Sequence, residues 1–185
     1  MTLNDIVVEA LKELGYGDDA QAIEVYSPKF TPWVNEAVRK IADHYGKTRT
    51  QTMTLNSDDQ FSVATFEREY IDISRVVDED DNEIEFYQDP PSSGLFTCTT
   101  DDATVAVTYT YYPNILINAS DTPDIPVFAQ AIIPTYVIGK EKMSGDASTQ
   151  STASAYFQLF HSAVRSLPTA KRGDVTAHRF RNRWS

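Results

Sequence analysis

The sequence predicts an α+β protein: a four-helix bundle made of two helical hairpins, an antiparallel β insertion between helices 2 and 3, and an extended C-terminal arm. Three observations carry this prediction. Apolar residues recur at helical spacing in the first 46 residues and again after residue 126. Between residues 47 and 112 the period changes to two, with Thr, Val, Tyr, Phe and Ile prominent. Beyond residue 168 no apolar period is sustained. The bundle is therefore assigned residues 1–46 and 113–167, the β insertion residues 47–112, and a basic arm residues 168–185.

Leu3, Ile6, Val7, Ala10, Leu11 and Leu14 fall on one stripe and define the first helix. Thr2 and Asp5 fit a capping box, and Gly15 supplies a left-handed stop. Residues 16–30 read as a short helix over 18–25 followed by a loop. The second long helix is expected to start with Thr31 as N-cap and Pro32 at its first position, to run through Trp33, Val34, Ala37, Val38, Ile41 and Tyr45, and to end at Gly46. Six strands are expected near 49–55, 60–66, 71–77, 83–88, 94–99 and 103–112. The last is the clearest, because alternation sets Val105, Val107, Tyr109 and Tyr111 on one face before Pro113 ends it.

Residues 113–125 read as an extended connector with turn chemistry at Ser120 to Asp124. The third helix is expected to share Phe128, Ala131, Ile132, Thr135 and Ile138 on one face and to kink at Pro134. After Gly145 and Asp146, a fourth helix carries Ala153, Tyr156, Phe157, Phe160, Val164 and Leu167 and closes at Pro168. The short link between these two helices implies an antiparallel hairpin.

Charge divides the chain further. Residues 168–185 hold five basic side chains against one acid, net +4, which leaves 11 basic and 26 acidic residues, net −15, in the rest of a chain of net charge −11. A body that acidic repels nucleic acid and membrane surfaces, whereas the arm can meet an acidic partner. No run of 18 apolar residues occurs and the first residues lack a basic region, so a soluble protein made in the cytosol is expected. Cys98 has no second cysteine to pair with and reads as a buried thiol in a strand.

Catalytic and cofactor constellations are not legible. The sequence holds no Gly-rich phosphate loop, no G-x-S-x-G, no H-E-x-x-H and no C-x-x-C. His44, His161 and His178 are scattered, and His44 is explained by the negative end of a helix dipole. The string from Asp78 to Asp89 places oxygen ligands at positions 1, 3, 5 and 12 of a calcium loop, but Glu83 stands where a glycine is needed and Asp89 replaces the long closing glutamate. A solvated hairpin turn is the better reading. No enzyme, no metal and no cofactor are therefore expected.

Taken together, several segments resemble the adaptor proteins of tailed bacteriophages, also called head-tail connector or head-completion proteins. These are the helix Leu3 to Leu14, the Trp33-Val-Asn-Glu-Ala37 helix, the strand Val107-Thr-Tyr-Thr-Tyr-Tyr-Pro113, the link Ser120-Asp-Thr-Pro-Asp-Ile-Pro126, and the last helix with Ala155-Tyr-Phe-Gln-Leu-Phe160. The likeness spans most of residues 1–167 and lies in the order of the segments. The β insertion is large for the family, and the tail-tube adaptors of short-tailed phages are nearer in size.

The resemblance implies a structural virion protein at the head-tail interface, or neck. It would form a ring, twelve-fold in the family, that binds the portal and meets a tail, tail-tube or nozzle protein while DNA passes during ejection without specific binding or membrane contact. On this reading Lys171, Arg172, Arg179, Phe180, Arg181, Arg183 and Trp184 form an arm that is disordered in the free subunit and docks on the portal. Asp58, Asp59, Asp101 and Asp102 face the channel, and exposed aromatic residues of the helices make the ring contacts. Two other classes compete. The same arm, with Phe180 and Trp184 among arginines, suits a single-stranded nucleic-acid-binding module. The β region suits a small carbohydrate-binding or hydrolytic domain, for which no carboxylate pair stands out.

Overall fold

The first helix begins where Thr2 and Asp5 exchange hydrogen bonds, Asp5 N–H to Thr2 Oγ1 at 3.2 Å and Thr2 N–H to Asp5 Oδ2 at 2.8 Å. This α1 (Leu3–Leu14) buries Leu3, Ile6, Val7, Ala10 and Leu11 and ends at Gly15, whose φ of 74° is the left-handed stop. The computed structural model describes residues 1–88, 90 and 92–167. It divides the chain into a helical unit, residues 1–46 with 112–167, and a β unit, Lys47–Tyr111.

In the helical unit α2 (Ala20–His44) is one helix of 25 residues with Pro28 and Pro32 inside it. The expected break at Thr31 is absent. Asp19 is the N-cap, accepting from Ala22 N–H at 2.8 Å, and Thr31 instead donates its hydroxyl to the Ser27 carbonyl at 2.8 Å. The physical reason lies in sidedness. Both prolines stand on the exposed side, so the carbonyls that lose their N–H partners can turn to water. Meanwhile Phe30, Val34, Ala37, Val38 and Ile41 continue one buried stripe. Each interior proline costs about 3 kcal/mol, and burying a large apolar side chain returns about 1.5–3 kcal/mol.

After the connector come a single turn, α3 (Val127–Gln130), then α4 (Ile133–Met143) and α5 (Ala147–Ser166). Pro134 sits in the first turn of α4, where its missing N–H needs no partner, so it starts a helix and does not kink one. The expected apolar face is also displaced. Phe128 and Ala131 are exposed, while Ile133, Tyr136, Val137, Ile138 and Gly139 are buried. At Gly139 the Phe157 ring of α5 comes within 3.1 Å of where a Cβ would stand, so the two helices need a residue without a side chain there.

The β unit has two sheets. β1 (Lys47–Thr54), β3 (Tyr70–Val77) and β6 (Thr104–Tyr111) form one antiparallel sheet in the order β1-β6-β3. β2 (Gln60–Ser62), β4 (Phe86–Gln88) and β5 (Leu95–Cys98) form the other in the order β2-β5-β4. Phe61 and Cys98 of the short sheet share a core with Met53, Ile73, Val76, Val105, Val107 and Tyr109 of the long one. The Phe66 ring stacks on Tyr109 at 4.2 Å between centroids.

The predicted four-helix bundle with one antiparallel β insertion is therefore corrected on both counts. The helices gather around α4, which meets α1, α2 and α5. A helix apolar on most sides must be covered on most sides, whereas a bundle helix presents a single stripe. The insertion is two three-stranded sheets with their own core, because the expected strand over 60–66 stops at Ser62. There the Ser62 hydroxyl caps a 3-10 turn, Val63–Thr65, and pairing cannot continue.

Candidate docking surfaces

Three turns converge at one end of the β unit. Cys98 N–H donates to the Asp59 carbonyl and Leu55 N–H to the Ala103 carbonyl, each at 2.9 Å, which joins the 55–60 turn to the 99–104 turn. Glu79 N–H donates to Asp102 Oδ2 at 3.3 Å, and Thr104 Oγ1 to Glu79 Oε1 at 2.8 Å, which adds the 78–83 turn. Asp58, Asp59 and Asp101 are exposed there and Asp102 is half-buried. Asp59 adopts a φ of 56°, a conformation Asp and Asn tolerate.

The former calcium-loop string is a hairpin turn, with an isolated bridge between Val77 and Glu83. Asp78 accepts from Asn82 N–H at 2.8 Å, Asp80 N–H at 2.9 Å and Asn82 Nδ2 at 3.0 Å. The Asn82 side chain, then the backbone donors, hold its carboxyl below the usual range. Its oxygens serve the turn. Among the described residues no three His, Cys, Asp or Glu side chains are grouped to hold a metal ion. Cys98 is buried, and burial followed by the Asp59 charge pushes its thiol up to about 11.

The helical unit carries two exposed surfaces, one apolar and one of mixed polarity. The first is built on the connector. Asn35 of α2 holds Leu116 by both backbone groups, Nδ2 donating to the carbonyl at 2.9 Å and Oδ1 accepting from the N–H at 2.8 Å. Asp121 accepts from Ile117 N–H and Asn118 N–H, each at 2.8 Å, and these two bonds hold its carboxyl below the usual range. The carbonyls of Ala119 and Asp121 in turn receive the free N–H groups of Asn4 and Leu3 at the start of α1. With Leu116 buried, Ile115 and Ile117 stand 71% and 76% exposed. Val127 and Phe128 are exposed close by in chain order, and buried Gln130 of the same turn accepts from the Met1 amine at 2.7 Å.

The second surface is a shallow hollow of about 250 Å³ at the other end of α1, lined by Tyr16, Asp19, Gln21, Ala22, Val25 and Tyr26. Tyr16 stacks on Tyr26 at 4.9 Å, and the row continues through Phe30 to Trp33. Beneath it, buried Glu141 of α4 forms an ion pair with Lys29 at 2.7 Å and accepts from the Tyr16 hydroxyl at 3.3 Å. Burial, then the Glu141 charge, raises the Tyr16 phenol above its ordinary value.

These surfaces differ from those the sequence suggested. Lys171, Arg172, Arg179, Phe180, Arg181, Arg183 and Trp184 lie outside the described residues. Aromatic rings expected at the ring contacts are mostly engaged in internal stacks: Tyr136 with Phe157 and Phe160, and the row ending at Trp33. The exposed apolar groups are chiefly aliphatic. The Ile-Leu-Ile run inside a turn-rich connector was the available signal for Ile115 and Ile117. Compared with known proteins, the chain matches no protein-family model and no curated protein.

Proposed function

We propose that this chain is a structural virion subunit that assembles into an adaptor ring between a bacteriophage portal and the tail, lining the channel through which DNA passes. The observation that carries the reading is the apolar surface exposed on the connector beside the start of α1. Exposing Ile115 and Ile117 on a connector pinned by Asn35 and Asp121, and Val127 and Phe128 on α3, gains the isolated chain nothing, and an assembly covers such groups. The acidic turns of the β unit support the channel role, because like charge keeps a DNA backbone from adhering. The order of segments from Leu3 to Phe160 supports the family resemblance. On this reading the protein has a mechanical role without a reaction, and its partners are copies of itself, a portal and a tail protein.

The test is native mass spectrometry of the full chain, alone and with purified portal rings. A stoichiometric ring on the portal is expected, lost when residues 171–185 are deleted. A chain that stays monomeric on the portal refutes the reading, and a truncated chain that still attaches refutes the docking role of the arm.

A further inference from the structure

We infer that β1 is a pairing edge and that two copies of this chain join along it, β1 against β1, in an antiparallel two-fold contact. The inference does not rest on the ring reading, because it concerns the chain in solution before any portal is met.

The phase of the ladder gives the first argument. β1 pairs with β6 without a register shift, from Lys47 opposite Tyr111 to Thr54 opposite Thr104. One step further in the same register, Leu55 N–H donates to the Ala103 carbonyl at 2.9 Å. That pair is hydrogen-bonded, so by alternation Thr54, Thr52, Thr50 and Thr48 are the non-bonded positions, whose N–H and C=O groups point away from β6. The Thr50 and Thr108 hydroxyls meet at 2.8 Å, as the closer side chains of a non-bonded pair allow. Among the described residues no backbone group of another segment bonds to these four threonines. The other edges are closed. β3 has register shifts at Tyr70/Asp72 and Ile73/Arg75, and Ile84 N–H takes its Val76 carbonyl at 3.1 Å. β2 and β4 have three residues each. Bulges, cover and shortness are how sheets protect an edge, and β1 shows none of them. Such an edge accepts an extended strand, and the long open strand among the described residues is β1 itself.

Charge selects the partner and the direction. β1 opens with Lys47 and Arg49 and holds no acid, and the exposed Asp58 and Asp59 follow its end. The segment therefore runs from positive to negative. Antiparallel pairing sets the basic start of each copy beside the acidic turn of the other, whereas parallel pairing would stack Arg49 on Arg49, and like charges directly opposite are unfavourable. With Gln51 on the two-fold axis, Thr48 faces Thr54 and Thr50 faces Thr52, so all four threonines exchange N–H and C=O groups across the junction. In that register Arg49 meets Met53 and Lys47 meets Leu55, which leaves no like charges opposed. A two-fold contact requires a self-complementary surface of this kind. Strand pairing alone falls short of the roughly 800 Å² per partner in a standard stable interface, so the dimer is weak, with a Kd on the order of 100 µM.

The test follows the full chain through a dilution series in about 0.15 M salt, which screens the net charge of −11 on each copy. Sedimentation velocity should show monomers passing to dimers as concentration rises. Over the same series amide exchange should slow at Thr48, Thr50, Thr52 and Thr54 and stay slow throughout at Arg49, Gln51 and Met53, whose N–H groups bond to β6. Thr50→Pro removes an outward N–H and no bond of the β1–β6 ladder, so it should keep the fold and weaken the dimer at least about tenfold. If circular dichroism shows that the proline damages the sheet, Thr50→Lys with Thr52→Lys keeps every N–H, sets like charges opposite across the junction and should have the same effect. A wild-type chain that is monomeric up to about 1 mM, or dimers that persist in both variants, overturn the contact. Deleting residues 171–185 should leave the dimer unchanged. Threonine amides that are protected at every dilution and exposed by that deletion would mean that the arm covers β1, and the inference fails.

Discussion

The helical unit and the β unit solve the same problem with opposite surfaces. The β unit keeps Phe61, Ile73, Val76, Val105 and Val107 inside and shows water threonines and carboxylates, with Tyr87 as its exposed large apolar residue among those described. The helical unit buries a larger core but leaves Ile115, Ile117, Val127, Phe128, Val25 and Met143 outside. Among the described residues the exposed large apolar groups are concentrated in the helical unit, and each unit has its own core.

The largest effect that would break this comparison comes from the cores. Phe30→Ala empties a fully buried site of the helical unit and should lower its stability by about 3–5 kcal/mol. Hydrogen exchange should speed in α1, α2 and α4 while β6 stays protected; equal loss in both units would show that they fold as one. Next, Asn35→Ala removes two hydrogen bonds from Leu116 and should cost about 2 kcal/mol, read by denaturant titration, with the β unit unchanged. Gly139→Val must displace the Phe157 ring, and a loss of about 1–3 kcal/mol is expected; a thermal melt unchanged from wild type would mean that α5 yields freely.

A smaller effect depends on pH. Asp121 has a folded pKa below its ordinary value of 3.8, first through Ile117 N–H and then Asn118 N–H. Its contribution is therefore present above pH 3.8 and is lost as pH falls through the lower folded value. Below that range, amide chemical shifts or exchange at Ile117 and Asn118 should report a loosened connector, and Asp121→Asn should remove the acid dependence. The smallest change is expected from Asp58→Asn, Asp59→Asn and Asp101→Asn in the β unit, each within about 0.5 kcal/mol. Their effect should appear in DNA ejection rates, and wild-type rates in the triple variant would place these residues away from the channel.

How far the fold could be read beforehand follows the same division. The first helix and β6 were legible because each buries one face, and a single period records it. α2 was misread because Thr-Pro marks a helix start equally well whether or not a helix already runs through it; only the exposed placement of Pro28 and Pro32 settles the matter. α4 was misread for a different reason. A helix covered on most sides has no stripe, so Phe128 and Ala131 were placed on a face that Ile133 and Val137 occupy. In the β region a period of two tells which face a residue takes but not which strand it pairs with, and so the division of the insertion into two sheets was not legible. The acidic turns were visible as Asp pairs between strands. The exposure of Ile115 and Ile117 on the connector was not, since exposure of an isoleucine is decided by what the rest of the chain leaves uncovered.

The clamp that Asn35 places on Leu116 reads only backbone atoms. The anchor is therefore indifferent to the identities of residues 115 and 117, provided that position 116 stays apolar. Mechanically it is a socket with interchangeable tips: the display can be rewritten at two positions without disturbing what holds it. A library varied at Ile115 and Ile117 should consist largely of folded proteins, so what the connector displays can change faster than the structure that holds it.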